Sequence, residues 1–206
     1  MKRIKVLIAD DHTIVRIGLK ALFAGEADLE VVGEARNGVE AVKTALETHP
    51  DVVIMDLQMP KKDGVEATRE LAEKLPSAAV AILTTYGTSD GIAHALQAGA
   101  RGAMLKTADD ARLVSAIRRI AAGEEYVSPD IRKLLADDPP VPELTARQQE
   151  ILQSLTTGLT NKEIAQQLGI RRDSVEDHIN TLFAKLGAAN RTEAVAIALR
   201  KHLLKI

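Results

Sequence analysis

The sequence predicts an α/β domain on a doubly wound, five-stranded parallel sheet, followed by a smaller all-α domain. Three observations predict it. The first two-thirds of the 206 residues alternates short β-branched apolar runs with segments of helical apolar spacing, the pattern of a parallel sheet covered on both faces. The strand candidates are continuous apolar runs rather than in/out alternations, as strands buried on both faces require. Beyond the proline cluster at 139, 140 and 142, no strand signal returns.

The elements follow in order. Ile4 to Ala9 reads as the first strand. Residues 12–24 then space Ile14, Val15, Gly18, Leu19 and Leu22 as a helix does. Leu29 to Val32 is a second strand, and 37–48 a second helix with Asn37 as its cap. Val52 to Met55 is a short apolar third strand, followed by a helix over 64–75. Ala79 to Leu83, a helix over 89–98, Gly102 to Leu105 and a helix over 109–122 complete the set, the last with Leu113, Ile117 and Ile120 on one stripe. The expected division is a first domain over 1–122, a linker over 123–142 and a helical domain over 143–206, with helices near 145–157, 161–168, 172–186 and 191–204.

Composition narrows the function classes. The chain is 46% hydrophobic and 27% charged, enough apolar content for a core and against wholesale disorder. Aromatics are 2% with no Trp, which argues against a platform for stacking unpaired bases. With no Cys there are no disulfides and no thiolate metal sites. No stretch reaches the length of a membrane span, so the expectation is a soluble, cytoplasmic protein. The net charge of −2 conceals an asymmetry: residues 1–142 hold 18 Lys and Arg against 22 Asp and Glu, whereas residues 143–206 hold 9 against 7.

Open parallel sheets bind ligands at the carboxyl ends of their strands, beside the point where strand order reverses. Strand one ends in Asp10 and Asp11, strand three in Asp56, strand four in Thr84 and Thr85, and strand five in Lys106. Singly, each is ordinary; an Asp after a strand is most often a turn former or helix cap. Together they put three carboxylates, a hydroxyl and an ammonium on one sheet edge, a costly assembly because like charges repel when desolvated. Phosphoryl transfer to a carboxylate uses this set. Clustered carboxylates attract a hard cation such as Mg²⁺, which neutralises a transferring phosphoryl group. One carboxylate acts as nucleophile, while a Lys and a Thr hydroxyl hold phosphate oxygens.

The segments IADDH, MDLQMPKKDG, ILTTY and GAMLK stand in the order and at the spacing of two-component receiver domains, which residues 1–122 resemble throughout. The resemblance implies strand order 2-1-3-4-5. It implies Asp56 as phosphoacceptor, Asp11 as a direct Mg²⁺ ligand, Asp10 acting mostly through water, and the backbone carbonyl of Gln58 completing the ligands. It makes Thr84 the switch hydroxyl, in preference to Thr85, and Lys106 the partner of Asp56 and then of the phosphate. Gln58 and Tyr86 would flank the path of the hydrolytic water. The family's usual aromatic three residues before the Lys is Ala103 here, so rotation of a ring cannot carry the switch; coupling through the loop after strand four is expected.

The second domain carries GLTNKEIAQQLGI and KLGAANRTEAV, and resembles LuxR/NarL-type helix-turn-helix domains. Ile164, Ala165 and Leu168 form an apolar stripe, Gly169 permits the tight turn, and Ser174 is a candidate cap of the second helix. On that helix Val175, Ile179, Leu182 and Leu186 form the buried face, with Phe183 beside them. Asp177, Asn180, Thr181 and Ala184 lie opposite, with Glu176 on the flank. Lys162, Arg171, Arg172, Lys185 and Arg191 are expected to position phosphates, and Asn180 and Thr181 to meet base edges. Glu176 and Asp177 either repel phosphate or accept from cytosine. His178 reads as a packing residue rather than a metal ligand.

These resemblances imply a response regulator that is not an enzyme beyond its own phosphotransfer and dephosphorylation. A sensor histidine kinase would phosphorylate it, and the phosphorylated homodimer would bind double-stranded DNA, with Val195, Ile197 and Ala198 on the dimer surface by analogy. Two alternatives compete. A protein-interaction module with weak or no DNA binding would also suit an acidic second helix. A phosphatase or phosphotransferase acting on small metabolites would need a substrate pocket or Gly-rich phosphate loop, and the sequence has neither signature.

Overall fold

A computed structural model describes residues 3–85, 88–142, 144–201 and 203–204. The chain divides into two compact units, residues 1–139 and 140–206. The first unit carries a parallel sheet in the order β2-β1-β3-β4-β5-β6. Its strands are β1 (Ile4–Ala9), β2 (Leu29–Ala35), β3 (Val52–Met55), β4 (Ala79–Thr84), β5 (Gly102–Leu105) and β6 (Tyr126–Val127). Between them run α1 (Thr13–Ala24), α2 (Gly38–Thr48), α3 (Gly64–Lys74), α4 (Ser89–Gln97) and α5 (Asp110–Ala121), and α6 (Pro129–Asp137) follows β6.

The apolar runs fold into strands because the sheet has a core on each face. In β1, Leu7 and Ala9 join α2, α3 and α4 on one face through Val42, Leu71 and Ile92. Val6 and Ile8 join α1 and α5 on the other through Phe23, Val114 and Ile117. Both sets of β1 side chains are fully buried, so neither could be exchanged for a polar residue without loss of core. Side-chain caps start the helices: Asn37 accepts from the Glu40 amide at 3.0 Å, and Asp63 from the Glu66 amide at 2.8 Å. Such caps are worth about 1 kcal/mol each.

The expected five strands all form, in the expected relative order, and a sixth extends the sheet. The segment 123–142 is not a plain linker. Tyr126–Val127 pairs in parallel with β5, and Ser128 caps α6, whose Ile131 is fully buried in the first unit's core. A two-residue strand leaves no periodicity to detect, but Ser-Pro at the start of α6 and Ile131, Leu134 and Leu135 at helical spacing were signals of the helix. On α1, Ile14 is exposed instead of packed; the buried stripe is Arg16, Leu19 and Phe23, spaced three and four apart.

The second unit holds α7 (Ala146–Thr156), α8 (Asn161–Leu168), α9 (Arg172–Leu186) and α10 (Arg191–Arg200) around Ile151, Leu152, Ile164, Val175, Leu182 and Ala194. Capping boxes at Thr145/Gln148 and Thr160/Glu163 begin α7 and α8. Gly169 closes α8 in the left-handed region (φ 64°), which a side chain rarely adopts, and so permits the turn into α9. The residue capping α9 is Arg171, with no side-chain hydrogen bond; Ser174 lies inside the helix, which corrects its expected role as a cap.

Candidate functional site

The strand order reverses between β1 and β3, and both strands end at the same edge. Asp10 follows β1, Asp56 follows β3, Thr84 ends β4 and Lys106 follows β5. Parallel pairing aligns these carboxyl ends, with Ala9 opposite Met55 and Thr84 opposite Leu105. The Lys106 ammonium lies 2.6 Å from Asp10 Oδ2 and 2.9 Å from Asp56 Oδ2, with both carboxylates almost fully buried. The Leu57 amide donates to Asp56 Oδ1 at 2.8 Å, and the His12 amide to Asp10 Oδ1 at 2.8 Å. His12 Nδ1 sits 2.7 Å from Asp11 Oδ1.

Burial pushes the Asp56 carboxyl above the usual carboxylate range, and the neighbouring Asp10 charge adds to it. Lys106 opposes that shift without cancelling it. Burial works against the Lys106 ammonium, but the two carboxylates outweigh it and its pKa rises. The ammonium pairs with two buried carboxylates, and Asp11 adds a third acid to the group. Ligand atoms of Asp10, Asp11, His12 and Asp56 all lie within 4.8 Å of one another. Hard oxygen donors at such spacing suit a small hard cation, so the residues fit Mg²⁺.

Two neighbours shape the pocket. Gly64, at the start of α3, approaches the Asp56 loop so closely that a Cβ there would stand 2.1 Å from the Asp56 carbonyl oxygen. Thr84 is buried inside β4 and its carbonyl accepts from the Lys106 amide at 2.9 Å, whereas Thr85 is exposed. Gln58 is exposed in the loop after Asp56. Tyr86 lies outside the described residues. Ala103 is fully buried against Ile82, with its carbonyl accepting from the Ser128 amide at 3.0 Å. It is a small core residue beside the added strand.

On the second unit, Asp177, Asn180, Thr181 and Ala184 form an exposed row on α9, opposite buried Val175, Ile179, Leu182 and Leu186. Lys162, Arg171 and Arg172 are exposed. Arg172 Nε is 3.0 Å from Glu176 Oε1 across one helical turn, so the acid on the flank takes up part of the cation beside it. Lys185 donates to Gln148 Oε1 at 3.0 Å, and Arg191 to the Leu155 carbonyl at 2.9 Å, ties that hold the unit together. Half-buried His178 stands outside the metal-capable group found among the described residues. Ala198 is fully buried in the unit's core, so it cannot contribute to a dimer surface; Val195 and Ile197 pack partly against that core.

Sequence reasoning passed over Arg16. Its side chain is almost fully buried, and Nη1 donates to the carbonyls of Asp10 (2.8 Å) and Asp11 (3.2 Å). Its spacing from Leu19 and Phe23 on α1 was the available signal, a cation on the core stripe.

A family model described as response regulator receiver domain matches residues 6–118, and one described as bacterial regulatory proteins, luxR family, matches residues 142–198. The transcriptional regulatory protein LiaR of Bacillus subtilis (strain 168) is 38% identical over 209 residues, covering 98% of this chain and 99% of its own. Among solved structures, the response regulator ChrA of a heme-sensing two-component system is 37% identical with a TM-score of 0.59, covering 99% of this chain and 100% of its own. A structure of the response regulator RcsB in complex with DNA, at 23% identity, covers 96% of this chain and 98% of its own with a TM-score of 0.68, a likeness of fold.

Proposed function

The chain belongs to the response regulators that join a receiver domain to a LuxR-type helix-turn-helix domain, and from that premise we propose that Asp56 is its phosphoacceptor. The protein is a DNA-binding transcription regulator of two-component signalling. The observation that carries the proposal is the buried Asp56–Lys106–Asp10 arrangement at the reversal of strand order.

A carboxylate oxygen of Asp56 attacks the phosphorus of a phosphohistidine on a sensor kinase. The P–O bond forms as the P–N bond breaks, and the imidazole leaves. Asp10, Asp11, Asp56 and the Gln58 carbonyl would hold Mg²⁺, which supplies neutralising charge at the transferring phosphoryl group. Lys106 holds Asp56 before transfer and a phosphate oxygen after it; Thr84 supplies a hydroxyl to another. The same pocket hydrolyses its own acyl phosphate and acts on no separate substrate. With Ala103 packed in the core, the change at Thr84 passes into the loop leading to α4.

The output is binding of double-stranded DNA by the second unit as a phosphorylation-promoted homodimer in the cytoplasm. The exposed α9 row is the reading surface: Asn180 and Thr181 face bases, with Ser174, Glu176 and Asp177 on the same helix, while Lys162, Arg171, Arg172, Lys185 and Arg191 position phosphates. Intact mass after incubation with acetyl phosphate tests the core of this: wild type gains one phosphoryl group in Mg²⁺, and Asp56→Asn gains none. Equal gain by both proteins would remove Asp56 from the role.

A further inference from the structure

Arg16 is a buried cation that the phosphotransfer chemistry does not use. Its guanidinium is spent on the main chain of the β1–α1 turn: Asp10 O at 2.8 Å and Asp11 O at 3.2 Å from Nη1, and Thr13 Oγ1 at 3.2 Å from Nη2. Nε stands 3.4 Å from Glu34 Oε2 on β2, and Lys20 also pairs with Glu34 at 2.6 Å. The side chains of the same turn are held by other groups, Asp10 by Lys106 and the His12 amide, Asp11 by His12 Nδ1. The two acidic residues are thus clamped twice, through their carboxylates and, independently, through their carbonyls.

We propose that Arg16 is a positioning residue for the cation site: it locks the Asp10–Asp11 main chain so that both carboxylates meet a divalent cation without reorganising. This rests on the Asp56 phosphoacceptor reading. Three features support it. Burial of an Arg is costly unless its N–H groups are used; here Nη1 serves two consecutive carbonyls and Nη2 a hydroxyl, while Nε has only the longer ion pair with Glu34. A planar guanidinium reaches two carbonyls and a hydroxyl from two separated nitrogens, whereas an ammonium offers all its donors from one. The guanidinium also brings a positive charge to the turn that carries Asp10 and Asp11, which offsets their like charges.

The bland alternative is that Arg16 only ties α1 to β2 through Glu34. Glu34→Gln separates the two, because it weakens that ion pair and leaves the carbonyl contacts in place. The test is a Mg²⁺ titration of the full-length chain, followed by backbone amide chemical shifts of the β1–α1 turn, with thermal unfolding in Mg²⁺-free buffer alongside. Loss of a group that orients metal ligands typically weakens metal affinity by about 10- to 100-fold. Arg16→Met and Arg16→Lys should show such a loss, and Glu34→Gln a dissociation constant within about twofold of wild type. Arg16→Lys keeps a buried cation and decides the matter if Arg16→Met fails to fold. Phosphorylation by acetyl phosphate should then need more Mg²⁺ for half-maximal rate but reach the wild-type plateau. Wild-type Mg²⁺ affinity in Arg16→Lys, or an equal loss in Glu34→Gln, overturns the proposal. If wild type gains no phosphoryl group at Asp56, the phosphoacceptor reading itself fails, a result distinguishable because it appears before any Arg16 variant is compared.

Discussion

Gly64→Ala is the sharpest perturbation of the acidic pocket that leaves every charged group in place. The added Cβ would stand 2.1 Å from the Asp56 carbonyl oxygen, 2.9 Å from Leu57 Cα and 3.0 Å from Asp56 C. All three are backbone atoms, so no rotamer change relieves the clash. Restoring van der Waals contact requires the start of α3 and the Asp56 loop to separate by about 1 Å or more. That movement pulls on the Gly64 amide, which donates to the Leu57 carbonyl at 2.9 Å. Overpacking costs about 1–3 kcal/mol and the strained hydrogen bond about 1 kcal/mol, for a destabilisation of about 2–4 kcal/mol. A misplacement of about 1 Å at a reacting group can cost about 10²-fold in rate. Urea unfolding measures the first effect, and the rate of phosphoryl gain from acetyl phosphate in saturating Mg²⁺ the second. A Gly64→Ala protein within about 0.5 kcal/mol of wild type and phosphorylated at the same rate would refute the close-approach reasoning, since that change is within the usual range for neutral substitutions.

Three further outcomes follow from the structure. Because burial raises the Asp56 pKa above its unfolded value of 3.8, the folded state binds its proton more tightly. The Asp56 contribution to stability is therefore fully present below pH 3.8 and lost as pH rises through the folded-state pKa; Asp56→Asn should be more stable than wild type at neutral pH in Mg²⁺-free buffer, with the advantage shrinking on acidification, as read by urea unfolding across pH. Ile131→Ala empties a fully buried site where α6 meets the first unit's core. It should cost about 2–5 kcal/mol in urea unfolding, whereas a tethered linker helix would lose almost nothing. Replacing Glu176 and Asp177 by Gln and Asn removes two charges beside the reading face and frees Arg172 from its 3.0 Å partner. Binding to nonspecific DNA should tighten in a salt titration, and unchanged binding at every salt concentration would show that the acids do not face phosphate.

Much of this was legible in the sequence because it rests on periodicity. The apolar runs of β1, β3 and β4 demand burial on two faces, and a parallel sheet then aligns their carboxyl ends. That alignment brings Asp10, Asp56 and Lys106 within salt-bridge distance although 46 residues separate the first two in sequence. The buried face of α9 was legible for the same reason. What escaped was set by tertiary contact. β6 is two residues long and is a strand only because β5 offers it an open edge. Analogy with the family puts Ala198 on a dimer surface, but only packing decides which side of α10 faces the core. Arg16 was passed over because a cation on a core stripe violates the pattern being sought. Its burial becomes favourable only once the turn carbonyls it satisfies are known.

The central claim is that phosphorylation of Asp56 governs DNA binding by the helical domain, and DNA affinity with and without acetyl phosphate tests it most directly. Fragments recovered from a genome-wide binding profile serve as probes, with Mg²⁺ and salt held constant. Wild type should bind these fragments more tightly after acetyl phosphate treatment, with a shift towards dimer, and Asp56→Asn should show neither change. Equal affinity and equal oligomeric state for treated and untreated wild type would contradict the account.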